Sequence, residues 1–145
     1  NDMQRHYNPE VNQIVCMGHS LGGALATLAA LDLTMWSGGR IKCTVYTIGS
    51  PRVGNDHFCV LYNRMVPRTI RCINTIDSVG DMPPTKLGYY HVWKQLDMTV
   101  NPVEVGLPPD NGPHSLYVYL YGVDPYAEEF SYTRTEGSAR QCLTV

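Results

Sequence analysis

The sequence predicts an α/β fold built on a mostly parallel sheet of about four strands with flanking helices. Short apolar runs alternate with stretches of helical period, and the first run passes into a helix through a glycine-rich break. The apolar fraction, 43% of 145 residues, suffices for one buried core. A chain of this length makes one compact domain and is too short for two ordinary ones.

Each element follows in order. Gln13 to Met17 is short, apolar and β-branched, which reads as a strand buried on both faces. Leu21, Leu25, Leu28 and Leu31 then recur at helical spacing among helix-forming alanines, up to about Trp36. Gly38 and Gly39 end that helix. Ile41 to Ile48 is the second strand, Asp56 to about Met65 a second helix capped by Asp56, and Thr69 to Ile76 the third strand. This succession implies right-handed crossovers. His91 to Met98 reads as a fourth strand, and Asn101 to Pro113, with four prolines, as a loop. In Ser115 to Tyr121 the tyrosines at 117, 119 and 121 alternate with Val118 and Leu120, which by itself favours a strand. Residues 1–123 form the domain, and 124–145 a polar tail.

Composition excludes several function classes. The formal net charge is −2 with no cluster of Lys or Arg, so nothing tracks a nucleic-acid backbone. The cysteines at 16, 43, 59, 72 and 142 are odd in number, widely spaced and without a C-x-x-C pair. That speaks against a disulfide framework or a zinc site and favours a reducing compartment. No apolar run approaches the ~20 residues that span a bilayer. The chain starts at Asn1 without an initiator Met, so the lack of a signal peptide is uninformative.

The chemistry lies at Gly18-His19-Ser20-Leu21-Gly22, a G-x-S-x-G pattern joining a strand directly to a helix. Such a turn holds a serine hydroxyl above the sheet edge, and Gly18 and Gly22 are expected to remove Cβ atoms that would collide there. The Leu21 amide, at the positive end of the helix, suits one oxyanion donor. The competing reading is that Ser20 only caps the helix. A serine nucleophile needs a base and an orienting acid, which in this fold order follow as acid and then His. Asp77, at the end of the third strand, and His114, beyond the last strand, suit those places. Asp81, Asp56, His91, His57, His19 and His6 remain as rivals on residue type and position.

Taken together these segments resemble the class 3 lipase family, the fungal-lipase-like branch of the α/β hydrolases. Val15 to Ala24 resembles the family elbow, with its His before the nucleophile. Thr47-Ile48-Gly49-Ser50-Pro51-Arg52-Val53-Gly54-Asn55 is similar to its T-x-G-x-P-R-V-G-N loop. Asp77 to Pro84 resembles the acid loop D-x-V-P-x-L-P-P, followed by Gly88-Tyr89-Tyr90-His91. His114-Ser115-Leu116-Tyr117 resembles the H-x-x-Y of the catalytic His. The match runs from about Val11 to Tyr121.

The resemblance implies the C-terminal catalytic half of an α/β-hydrolase fold. It makes Ser20 the nucleophile, Asp77 the acid and His114 the base, with the Leu21 amide as oxyanion donor. Gly18, His19, Gly22 and His91 become structural neighbours of the site, and Ser115 to Tyr121 becomes helix against its local alternation. Gly80 stands where the family has proline, which is expected to loosen the acid loop. The resemblance assigns the first strands, the lid and the second oxyanion donor to an N-terminal half, which is expected to be missing ahead of Asn1. The implied activity is hydrolysis of acylglycerol-type lipid esters at a membrane or lipid interface, needing no metal or organic cofactor and no nucleic acid. A truncated, non-catalytic scaffold and another serine hydrolase, such as a phospholipase A1 or thioesterase, are the alternatives.

Overall fold

A computed structural model of the protein describes Glu10, residues 12–107 and residues 112–123. The polar tail and His6 lie outside the described residues. Strand β1 (Gln13–His19) leads through Ser20 into helix α1 (Leu21–Trp36), followed by β2 (Lys42–Ile48), α2 (Asp56–Met65) and β3 (Arg68–Asn74). Two 3-10 turns (Ser78–Asp81 and Thr85–Leu87) precede β4 (Lys94–Met98), and α3 (Leu116–Val123) closes the described chain. The four strands form one parallel sheet in the order β1-β2-β3-β4. A four-stranded parallel sheet with flanking helices is the fold class expected from the sequence. No helix among the described residues is long and apolar enough to cross a membrane.

The core lies between the sheet and the two crossover helices. Ala26, Ala30 and Leu31 of α1 and Cys59 and Tyr62 of α2 pack against Cys43 and Val45 of β2. The buried face of α1 is its small face, including Gly23, Ala24, Ala26 and Thr27, while Leu21, Leu25 and Leu28 are exposed. Close approach explains this choice. A Cβ on Gly23 would stand 2.7 Å from the Cβ of Ser50, so the first turn of α1 has no room for a larger side chain there, and a leucine is buried only farther along, at Leu31.

The strand reading of Gln13 to Met17 holds, but not its burial on both faces. Ile14 and Cys16 pack toward the core, whereas Val15 and Met17 are 63% and 66% exposed. Across the register, Met17 neighbours Tyr46 and Tyr46 neighbours Ile70, and all three are exposed. Among the described residues, this sheet face carries uncovered apolar side chains where parallel sheets are ordinarily covered on both sides.

Several boundaries differ from the sequence reading for local reasons. Strand β3 ends at Asn74, because Asp77 N–H turns back to the Asn74 carbonyl (2.8 Å). Strand β4 begins only at Lys94. Trp93 before it has φ +41°, and the Val92 carbonyl is taken by Nε of Arg71 (2.6 Å). Helix α2 is capped by Asn55, whose side chain accepts from Phe58 N–H (2.9 Å), and Asp56 is the first residue inside it. The tyrosine-rich segment is helical, since that spacing buries Val118 and Tyr119 together.

The glycines of the elbow turn are not equivalent. A Cβ on Gly18 would lie 2.3 Å from the carbonyl carbon and oxygen of Gly22, whereas a Cβ on Gly22 meets nothing within 4 Å. The expectation of a collision at Gly22 is therefore corrected. Gly18→Ala should destabilise by about 3 kcal/mol or more. Gly22→Ala should be neutral or stabilising by up to about 1 kcal/mol, because alanine is the better helix former. Urea unfolding of both variants of the intact protein measures the contrast.

Candidate active site

Parallel strands deliver their carboxyl ends to one edge, and the sequence places Ser20, Gly49 and Asp77 just past the ends of β1, β2 and β3. Ser20 occupies φ +57°, ψ −128°, a conformation that costs a non-glycine residue of order 1–3 kcal/mol. Its N–H is anchored on the Ile48 carbonyl (2.9 Å), and its own carbonyl accepts from Gly23 N–H (2.9 Å). The side chain makes no cap to α1, which removes the reading of Ser20 as a helix cap. Its Oγ instead lies 2.7 Å from Nε2 of His114. Leu21 opens α1, so its amide is one of the first-turn N–H groups without a partner inside the helix.

His114 is held from three sides. Its Nδ1 lies 2.7 Å from Oδ2 of Asp77. Its backbone carbonyl accepts from Nε2 of His19 (2.8 Å), and the two imidazole rings stack at 4.7 Å. With Nδ1–H donating to the carboxylate, Nε2 is left as the acceptor facing the Ser20 hydroxyl, an assignment made from the network. The structure thus joins Ser20, His114 and Asp77, more than 90 residues apart at the extremes, in one hydrogen-bonded chain. His19 stands beside that chain.

The Asp77 side chain is 1% exposed and every contact supports its ionised form. Oδ1 accepts from Val79 N–H (2.9 Å), and Oδ2 accepts from the Tyr119 hydroxyl (2.7 Å) as well as from His114. Burial pushes the carboxyl pKa up, but the hydrogen bonds from His114, Tyr119 and Val79 outweigh it and hold it below its ordinary value. Tyr119 was not singled out by the sequence; the H-x-x-Y spacing pointed to Tyr117, which is exposed. Burial and the neighbouring Asp77 push the Tyr119 phenol far above its usual range, so it stays a donor. Its oxygen also accepts from Asn74 N–H (3.0 Å). Gly49 makes room for this packing. At φ +56°, a Cβ there would stand 3.1 Å from both the Asp77 carboxylate and the Tyr119 ring.

The rival residues are placed elsewhere. Asp81 is exposed and meets Arg52 (3.1 Å), and Asp56 pairs with His57 at the surface (3.1 Å). His91 Nε2 lies 2.7 Å from the Gly80 carbonyl, in the turn that follows Asp77. Burial first, and then the Arg71 charge, push its imidazole down to about 4. Among the described residues no three His, Cys, Asp or Glu side chains are grouped to share a metal ion. Cys16, Cys43, Cys59 and Cys72 are free thiols.

Comparison with known proteins adds relatives to this geometry. The family model described as Lipase (class 3) matches residues 2–87. Phospholipase A1-II 5 of Oryza sativa subsp. indica is 34% identical over 104 residues, covering 67% of this chain and 22% of that protein. Secreted mono- and diacylglycerol lipase 1 of Fusarium solani is 40% identical over 79 residues, covering 54% of this chain and 23% of that protein. The crystal structure of the lipase from Rhizopus microsporus var. chinensis superposes with a TM-score of 0.57 at 34% identity, covering 62% of this chain and 32% of that one. The chain therefore spans less than a quarter of the length of these two sequence relatives.

Two measurements check the surroundings of the acid. Tyr119→Phe removes a charge-assisted bond and strands the Asn74 N–H, and should cost about 1–3 kcal/mol. Tyr117→Phe should stay within about 0.5 kcal/mol. For His91, the unfolded chain binds its proton near the usual 6.5 and the folded chain only at about 4. Stability from the neutral form is therefore full above pH ~6.5 and is lost as pH falls toward ~4. Thermal melts across that window should show a shallower decline for His91→Gln than for the parent protein.

Proposed function

The chain belongs to the class 3 lipase family, and on that premise we propose that it carries the catalytic side of a carboxylic ester hydrolase acting on acylglycerol-type lipid esters. The observation that supports this best is the pair of 2.7 Å contacts linking Ser20 Oγ to His114 and His114 to Asp77. In this reading His114 Nε2 accepts the Ser20 proton as Oγ attacks the acyl carbonyl. The carbonyl electrons move onto oxygen, and the Leu21 amide donates to that oxyanion at the N-terminus of α1. His114 then returns the proton to the departing alcohol. Water, deprotonated by the same imidazole, releases the acyl group from Ser20.

Asp77 holds the imidazole in the tautomer with Nδ1–H and stabilises the imidazolium formed in each half-reaction. Its depressed pKa keeps it charged across neutral pH. The substrate proposal rests on relatives whose names specify mono- and diacylglycerol lipase and phospholipase A1. A phospholipid acyl ester is thus the second reading, favoured by the rice relative. A scaffold without turnover leaves unexplained why Ser20 is held in a strained turn facing an imidazole that a buried carboxylate orients.

A fluorophosphonate probe offered to the intact protein should label Ser20, as located by mass spectrometry, and Ser20→Ala should abolish labelling. Asp77→Asn should lower kcat by about 10⁴-fold through the wrong imidazole tautomer. Dispersed diacylglycerol and phosphatidylcholine vesicles, compared by released fatty acid, separate the two substrate readings. An unlabelled Ser20 in a folded protein overturns both.

A further inference from the structure

The acid loop lacks the proline that the family resemblance leads one to expect at position 80, yet its geometry is tightly determined. Four consecutive carbonyl oxygens are each held by Arg52 or His91. His91 Nε2 takes the Gly80 carbonyl (2.7 Å), and Arg52 Nη1 takes those of Asp81 and of Pro83 (2.9 Å to the latter). The backbone N–H of Arg52 takes the Met82 carbonyl between them (2.7 Å). The Arg52 side chain is 14% exposed, and its Nη2 also meets the Asp81 carboxylate (3.1 Å).

These contacts come from two separate segments and converge on one loop. Arg52 follows β2 and His91 precedes β4, while the loop itself follows β3. The grip begins one residue beyond Val79, whose N–H binds Oδ1 of Asp77 and so sets the rotation of the carboxylate. Oδ2 is thereby presented to His114. A planar guanidinium can hold two carbonyls at once, which a lysine ammonium on a flexible stem cannot do with the same geometry.

We propose that Arg52 and His91 are positioning residues for the acid, clamping the 80–83 carbonyls so that Val79 and Asp77 stay aligned with His114. The proposal rests on the hydrolase reading above. A shift of about 1 Å in a catalytic group can cost on the order of 10²-fold in rate. Releasing the clamp should therefore act on kcat, through Asp77, and leave substrate binding alone.

The test compares Arg52→Lys, His91→Gln and His91→Phe in the intact protein on a soluble p-nitrophenyl ester, each also made in an Asp77→Asn background. Arg52→Lys and His91→Phe should lower kcat by about 10- to 100-fold with KM within about twofold. His91→Gln keeps a donor and should recover most of the loss. In the Asp77→Asn background the same changes should cost less than about twofold, since the group they position is gone. Far-UV circular dichroism and urea unfolding give the folded fraction by which kcat is corrected, and the His91 pair carries the test if Arg52→Lys does not fold. Unchanged kcat, or equal losses with and without Asp77, overturns the clamp. A parent protein inactive on the ester, or indifferent to Asp77→Asn, overturns the hydrolase reading and the clamp with it.

Discussion

A carboxylate with 1% side-chain exposure, surrounded by donors, is the constraint on which the site depends. An ionised Asp in such a place is tolerable only when its lone pairs are filled, and Asp77 receives an imidazole, a phenol and a backbone amide. Each donor sits on a different part of the chain. Val79 is on the loop after β3, Tyr119 is on α3, and His114 is on the approach to α3. Satisfying one charge therefore fixes the relative placement of the loop, the helix and the histidine. The vacancy at Gly49, where no side chain intrudes, lets acid and phenol approach that closely.

The serine end of the same hydrogen-bonded chain is built by the opposite means. Ser20 is held by backbone geometry, its N–H on Ile48 and its carbonyl under the first turn of α1, in a conformation few residues adopt willingly. Packing beneath that turn must be close, and this explains why the first turns of α1 bury Gly23, Ala24, Ala26 and Thr27. Strain at one residue is thus maintained by many ordinary contacts around it. Small residues in α1 serve the site as much as the core.

How much of this was legible depended on whether the signal was local. The elbow reads directly, because strand, glycine break, serine and helix are contiguous. Asp77 and His114 could be chosen over Asp81 and His91 only through the register of family-like loops, since residue type and position left both pairs open. Tyr119 escaped because its partner is 42 residues away and the motif spacing favoured Tyr117. The grip on residues 80–83 escaped for a related reason, as carbonyl oxygens have no residue identity and cannot be seen in a string of letters. The expectation of a loosened loop at Gly80 considered one backbone position and missed the side chains arriving from either side. Burial of β1 was misjudged because an apolar run states what a strand would prefer, not what is present to cover it.

That last point governs how such a polypeptide behaves in a tube. Val15, Met17, Tyr46 and Ile70 form a sticky plane, and β1 ends the described sheet with one row of peptide groups unmatched. Two copies meeting along that rim can zip together by strand addition, with the plane supplying the adhesion. A preparation restricted to the described residues is thus a colloid waiting to grow, and its turbidity would rise with concentration and fall with mild detergent.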